Sequence, residues 1–552
     1  MKLKSGQLNS AYQRWAAWIG AQPAQRVIWV LAFLFSCWIL LDIFNLRVTN
    51  GLASSAFDTM VRARVYTHAP DPRIVIVDID ESSLQRMSAE FGRWPWPRDT
   101  LATVLDHIEK QKPAAIVWDV LFSDADQISP GGDAAFDAAV SRSAHSHFAV
   151  VRLRESSDAQ SQIARPVLPT LWATSGTPSP TNAGSTAATV AMIPPALAAV
   201  SRAPLGYNNG YVDGDGVLRH YRYFETLRDG SVIQSLPMSV LSSLDPAAYQ
   251  HEIANISKWW SNRDELVDWR RHANLYPHYP IADVFDSADS GQSKPGLPSF
   301  AGKIVIIGAT AASLHDIHPT PLAADQAGVD TLATAIDNTV NHHHLYELPR
   351  WLHALVAIAL CIGLAAWVQH RKLTSLASIR FVLPVGLLFI SYLTLNISPV
   401  FVDLQLSAAL ALIWLSLLKF WHQMQRDFWC MPAPPLSDGT PMAIWPLVRT
   451  KPWDEEALDR LIDFTQQHLP QCRLVAPQVE IQLFQSIRWP ELTLYAAIVG
   501  PAGQLQWARD NCQTRLARLC RTDSEIAILS GDNSRQSIAR TAMRLWAKIG
   551  SE

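Results

Sequence analysis

Between residues 47 and 350 the chain has no cysteine; its six cysteines are Cys37, Cys361, Cys430, Cys472, Cys512 and Cys520. A disulfide framework is therefore excluded for that long stretch. None of the six forms a C-x-x-C pair, so a zinc ribbon or dithiol redox site is not expected. Charge of one sign is also missing: 46 Lys and Arg stand against 49 Asp and Glu, a formal net charge of −3. Without a basic patch there is no electrostatic case for nucleic acid. A G-x-x-x-x-G-K-[ST] loop is absent, because Lys303 precedes its strand instead of following the Gly308-Ala309-Thr310 turn.

Long apolar runs, in contrast, are present. Residues 27–46 are long enough to cross ~30 Å of hydrocarbon at ~1.5 Å per residue. Asp42 lies near the end of this run, where a buried charge costs less than the ~2.5–3.5 kcal/mol of the bilayer centre. The run exceeds a signal-peptide core and lacks an A-x-A site after it, so an uncleaved anchor is expected. Further spans are expected at 351–369, 381–397 and 400–420. Lys2, Lys4, Arg14 and Arg26 precede the first span; Arg371, Lys372 and Arg380 lie between the second and third; Lys419 and Arg426 close the fourth. All these groups face the cytoplasm in one arrangement only. It places 1–26 inside, 47–350 outside, 397–401 as a short outer hairpin, and 421–552 inside.

The outer segment reads as α/β with a mainly parallel sheet. Residues 54–68 have helical spacing, and 73–80 form a near-continuous apolar strand buried on both faces. Gly92–Arg98 is a Pro-rich turn, 99–110 a helix with Asp99 as N-cap, and 114–120 a second buried strand. Strand, helix, strand defines a βαβ unit. Residues 155–200 are Ser/Thr/Ala/Pro-rich and read as an insertion. Trp259, Trp260 and Trp269 lie near Arg263, Arg270 and Arg271; they form either a docking surface or aromatic packing under a loop.

Several of these segments carry a resemblance. FDTMVRAR (57–64), IVIVDIDESSL (74–84), GRWPWPR (92–98), AAIVWDVLFSD (114–124), GYNNGYVDGDGVLRHYR (206–222), IQSLPMSVL (233–241) and the closing segment 301–349, which opens AGKIVIIGAT, resemble, in this order, the CHASE2 family of bacterial extracytoplasmic sensor domains. The resemblance covers roughly 50–350. It implies an inner-membrane receptor with a periplasmic sensor domain and a signalling or interaction domain inside.

Acidic residues gather at the predicted strand ends. Asp78, Asp80, Glu81, Asp119 and Asp124, with Arg93 and Arg98, are the candidate ligand-binding set, because carboxyl ends of parallel strands line the usual crevice. Asp126 lies beside them. The same residues equally serve as helix caps and arginine partners, and spacing leaves both readings open. Asp213-Gly-Asp215-Gly lacks the ligands of a calcium loop and reads as a tight turn. His315 and His318 flank Asp316 in a loop. His342–His344 are consecutive, which prevents all three from meeting one ion from a regular helix. No metal site and no cofactor is expected; a pH-responsive cluster is the alternative for these histidines.

Residues 421–552 read as a small α+β domain. Its strands are expected at 444–448, 479–484, 492–499 and 525–529, and its helices at 454–468, 503–520 and 535–549. The order fits a ferredoxin-like βαββαβ sandwich with one more helix. No motif set of a kinase, nucleotide cyclase, diguanylate cyclase or phosphodiesterase is expected, and Glu480 and Asp532 are the most that a divergent enzyme would have. No catalytic residue is expected. The expected partners are the lipid bilayer, an extracytoplasmic ligand or protein, a cytoplasmic protein and a second copy in a homodimer. A structural subunit of a membrane complex is the alternative.

Overall fold

The run Ile74–Ile79 is buried at every position because alternate side chains enter two different cores. Val75, Val77 and Ile79 pack on one face of a sheet, Ile74 and Ile76 on the other. Strands covered on both faces lose the polar alternation of a half-exposed sheet, hence the continuous apolar sequence. The computed structural model describes residues 22–46, 50–164, 167–173, 189–227, 230–256, 264–273, 275–369, 376–429, 441–475, 494–521, 524–529 and 535–550. The chain divides into two compact units: Arg47–His353 with Phe389–Gln405, and Met1–Leu46 with Ala354–Leu388 and Leu406–Glu552.

The first unit holds a seven-stranded sheet: β1 (Ile74–Ile79), β2 (Ala115–Trp118), β3 (Ser146–Arg152), β4 (Met192–Ile193), β5 (Leu205–Tyr207), β6 (His278–Pro280) and β7 (Ile304–Ala309). The order is β6-β1-β7-β2-β3-β4, with β5 also on β3. Every pairing is parallel except β3 with β4. The central register sets Ile76 opposite Ile306 and Ile306 opposite Val117. Helices Arg98–Glu109, Gly132–Arg142 and Ile281–Ser290 cover the face that carries Val77, Trp118 and Ile307. Helices Leu236–Leu244 and Gly328–Val340 cover the face that carries Ile76, Val117 and Ile306. Each fully buried Val, Ile or Leu contributes roughly 1.5–3 kcal/mol, so this double-sided core fixes the domain.

Local details depart from expectation. The helix expected over 54–68 is Asn50–Arg62, ending before 68. The helix expected from 99 begins at Arg98 with Pro97 as N-cap; Asp99 is in its first turn, accepting from the Thr100 amide at 2.8 Å. The insertion contributes β4, an antiparallel edge, and 174–188 lie outside the described residues. Trp269 and Arg270 are buried, with Arg270 Nη2 2.8 Å from Asp337 Oδ1, which is packing and not a docking surface. Trp259, Trp260 and Arg263 lie outside the described residues. Val400–Phe401 is more than a hairpin: it pairs in parallel with Tyr346–Glu347.

In the second unit, Ile28, Ala32, Leu364, Ala365, Trp414, Leu415 and Leu418 pack together from three helices. Among the described residues, Ala24–Leu46, Arg350–Val368 and Ile379–Ile397 are long and apolar enough to cross a membrane. The fourth expected span falls in the 25-residue helix Gln405–Trp429, whose second half carries Lys419, His422 and Arg426. That helix continues to the C-terminal domain, where Arg426 Nη2 reaches Asp459 Oδ1 at 2.9 Å and Trp429 enters the core.

The C-terminal domain runs strand Met442–Val448, helix Glu455–His468, strand Arg473–Val475, strand Tyr495–Pro501, helix Ala502–Leu516, strand Ala527–Ile528, helix Arg535–Gly550. Its sheet is antiparallel, with Tyr495–Pro501 between Arg473–Val475 and Met442–Val448, and Ala527–Ile528 on the far edge. The expected strand 479–484 lies outside the described residues, as do Glu480 and Asp532. Ala443, Trp445 and Leu447 face two helices, while Met442 and Ile444 pack under Ile538, Ala542 and Trp546 of the last one. That helix gives the sheet a second cover.

Candidate functional site

Chain direction creates a crevice at the carboxyl ends of β1, β7 and β2. After β2 the chain passes to helix Gly132–Arg142 on one face; after β7 it passes to helix Gly328–Val340 on the other. Connections that part to opposite faces leave an opening between the two strands. A cavity of about 490 Å³ lies there, lined among others by Ile79, Trp94, Asp119, Asn208, Tyr221, Ala309, Asp316, His318 and Thr331. This is within the range of small-molecule sites.

Two glycines let backbone close around it. A Cβ on Gly308 would stand 2.7 Å from Val329 Cγ2 and 3.2 Å from Asp119 Cβ. A Cβ on Gly328 would stand 2.5 Å from the Asp316 carboxylate, which sits at the start of helix Gly328–Val340.

Asp119 is the centre of the polar wall. Tyr221 Oη donates to Asn208 Oδ1 at 2.8 Å, and Asn208 Nδ2 donates to Asp119 Oδ1 at 2.6 Å. Asp119 Oδ2 is buried with no hydrogen-bond partner among the described residues. Burial, aided by the Asp316 charge, pushes the Asp119 carboxyl up to about 7, against the opposing pull of Asn208 and His318. A buried carboxylate oxygen without a donor is costly unless a ligand supplies one. His318 Nε2 lies 3.6 Å from Asp316 Oδ1, which raises the imidazole above its ordinary value despite burial.

The other candidates divide by role. Asp78 lies off the cavity: Thr310 Oγ1 donates to its Oδ1 and Oδ2 at 2.7 Å, and His278 Nδ1 stands 3.0 Å away. His278 Nε2 meets Asp330 Oδ1 at 3.2 Å, so one imidazole bridges two carboxylates. Burial opposes its charge, but the hydrogen bonds to Asp330 and Asp78 prevail and push His278 up to about 9. Glu81 Oε1 accepts from the Ser313 amide at 2.9 Å. Asp78 and Glu81 thereby brace Thr310–Leu314, the loop that gives Leu314 to the cavity wall. Asp80 caps helix Glu81–Phe91, accepting from the Ser83 amide at 2.9 Å.

Arg98, Asp124 and Arg93 do not join Asp119. Arg98 Nη2 donates to the Asp124 carbonyl at 2.8 Å, and its guanidinium lies 4.6 Å over the Phe122 ring. Arg93 is exposed. Asp126 holds the turn before helix Gly132–Arg142, accepting from the Arg98 and Ile128 amides at 2.8 Å each. Asp213 and Asp215 form the expected turn and both bind Arg219.

Asn208, Tyr221, Asp316 and His318 were not legible as one site. The Asn208-Asn209-Gly210 stretch offers polar side chains right after a strand, but only the fold brings it beside residue 119.

A Glu-Ala-Leu tripeptide, Glu456–Leu458, lies in helix Glu455–His468, where Ala457 and Leu458 are core residues. Glu456 pairs with Arg460 one turn further on, so the helix's own packing and charge pairing account for all three residues.

A mainly parallel α/β domain bracketed by apolar helices, with a polar crevice at its strand ends, defines a membrane protein built around a folded α/β module. A family model described as CHASE2 domain matches residues 29–367, so the chain belongs to the CHASE2 domain family, a family of sensor domains. No curated protein and no solved structure matches it.

Proposed function

We propose that the protein is an inner-membrane signal-transducing receptor. Its periplasmic CHASE2 domain takes up a small polar ligand in the crevice at Asp119 and relays its occupancy through the membrane helices. The observation that carries this reading is the unpartnered Oδ2 of Asp119 in a cavity of about 490 Å³. The ligand presents a hydrogen-bond donor or a positive charge to that oxygen, since Asp119 and Asp316 give the wall acidic character.

Four membrane passes, the fourth in the first part of Gln405–Trp429, put residues 421–552 in the cytoplasm. The sheet order described above supports a ferredoxin-like sandwich whose usual open face is covered by helix Arg535–Gly550. This domain is non-catalytic and signals by what it binds. Two of its thiols, Cys472 and Cys520, are pushed up to about 12 by burial, which does not suit a redox role for them. A relay is favoured by Gln405–Trp429 itself, one continuous helix from the apolar segment to the Asp459 contact.

The test is purification of the untagged chain in mild detergent, with mass spectrometry of what co-elutes, beside Asp119→Asn. A small molecule retained by the wild type and lost in the variant supports the receptor. Equal retention by both sinks the Asp119 site. A stoichiometric protein with no small molecule favours the alternative, a structural subunit of a membrane complex.

A further inference from the structure

Consecutive histidines point to different sides where a left-handed residue, His342 at φ 56°, ends the helical path. Helix Gly328–Val340 ends before them, so His342–His344 are not helical. His343 turns to one side and stacks on His68, with ring centroids 3.7 Å apart. His342 and His344 turn to the other, where they meet Glu252 of helix Pro246–Asn255. One donor atom each from Glu252, His342 and His344 lie within 4.8 Å of one another.

The details around His344 are those of a ligand. Its side chain is 8% exposed, and its Nε2 is buried with no hydrogen-bond partner among the described residues. That Nε2 stands 3.6 Å from Glu252 Oε1, too far for a hydrogen bond. Two ligands of one tetrahedral zinc, each at ~2.0–2.1 Å, are themselves about 3.4 Å apart. On the other edge of the ring, Nδ1 faces Glu265 Oε2 at 3.4 Å. A carboxylate behind the second ring nitrogen is the usual way a ligating histidine is oriented and made more basic. Tyr346 stacks on the ring at 5.8 Å, which holds its plane.

We propose that Glu252, His342 and His344 bind a divalent first-row transition metal, with Glu265 as the orienting carboxylate. Two imidazoles and a carboxylate suit zinc among the common ions. The neighbouring group His68, Asp268 and His343 is less suited, because Arg64 Nη1 already holds Asp268 Oδ1 at 2.5 Å and its charge opposes a cation. A metal at Glu252 ties helix Pro246–Asn255 to the segment that leads into helix Arg350–Val368. The domain then has a second input, independent of the Asp119 crevice.

The test uses full-length protein in detergent, purified without a polyhistidine tag and stripped with chelator. Zinc content after equilibrium dialysis should be one ion per chain. His342→Ala, His344→Ala and the isosteric Glu252→Gln should each weaken zinc binding at least about 10-fold, while His343→Ala should leave it unchanged. Cobalt should give the visible bands of a low-coordinate site with nitrogen and oxygen ligands. If His344→Ala fails to fold by circular dichroism, Glu252→Gln and His342→Ala decide. No zinc uptake by the wild type, wild-type affinity in those two variants, or an intense thiolate band with cobalt each overturns the proposal.

Discussion

Arg219 grips Asp58 with two parallel bonds, Nε to Oδ1 at 2.7 Å and Nη2 to Oδ2 at 2.8 Å. Asp58 belongs to helix Asn50–Arg62, the first element of the CHASE2 domain after the N-terminal apolar helix. Arg219 is 2% exposed and also binds Asp213 and Asp215, so burial fails to lower its pKa, which these bonds raise instead. Asp58→Asn removes one partner of a buried charge and should cost about 2–4 kcal/mol. Asp215→Asn, at a half-exposed carboxylate, should cost under about 1 kcal/mol. Urea unfolding followed by tryptophan fluorescence checks both; equal costs would mean that Asp58 is not the anchor.

Asp119 predicts a pH dependence of its own. Its carboxyl is raised to about 7 in the fold and titrates near 3.8 unfolded, so the native state binds the extra proton between those values. The Asp119 contribution to stability therefore falls as pH rises from about 4 to about 7. Asp119→Asn removes this slope and gains up to about 4 kcal/mol above pH 7, with no gain near pH 4. Thermal melts of both proteins across this range give the answer. A constant difference would put the effect elsewhere.

His278 has the opposite sign. Its folded pKa of about 9 lies above the unfolded 6.5, so its stabilisation is complete below pH 6.5 and lost as pH climbs through 9. His278→Gln should lower stability by up to about 3 kcal/mol at pH 6 and have little effect at pH 10. Melting temperatures at those two pH values are sufficient to check it.

The link between Arg426 and Asp459 predicts a local effect. Arg426→Ala should cost about 1–2 kcal/mol and raise hydrogen exchange in helix Glu455–His468. Exchange in β1 and β7 should stay unchanged. Faster exchange throughout would instead mean general destabilisation.

Much of this protein was legible in one dimension. Apolar length marks the helices at Ala24–Leu46, Arg350–Val368 and Ile379–Ile397, because hydrocarbon thickness sets a minimum run. Continuous Val and Ile at 74–77 and 304–307 mark strands covered on both faces, because such strands have no wet side. Helix ends were harder. Pro97 with its fixed backbone takes the N-cap two residues ahead of the better side-chain cap, Asp99.

The sites were decided by the fold alone. Asp78 and Asp119 both end parallel strands, yet Asp78 turns to Thr310 and His278 while Asp119 meets Asn208, a residue 89 positions away. Period two in a strand says that faces alternate, but not which face will close over a cavity. Arg98 and Asp124 instead meet each other, away from Asp119. Likewise His342 and His344 meet Glu252 because the helix stops at Val340 and the chain turns at His342, whose φ is 56°. Local sequence determined what each segment became; long-range packing determined which polar groups were left facing one another without water.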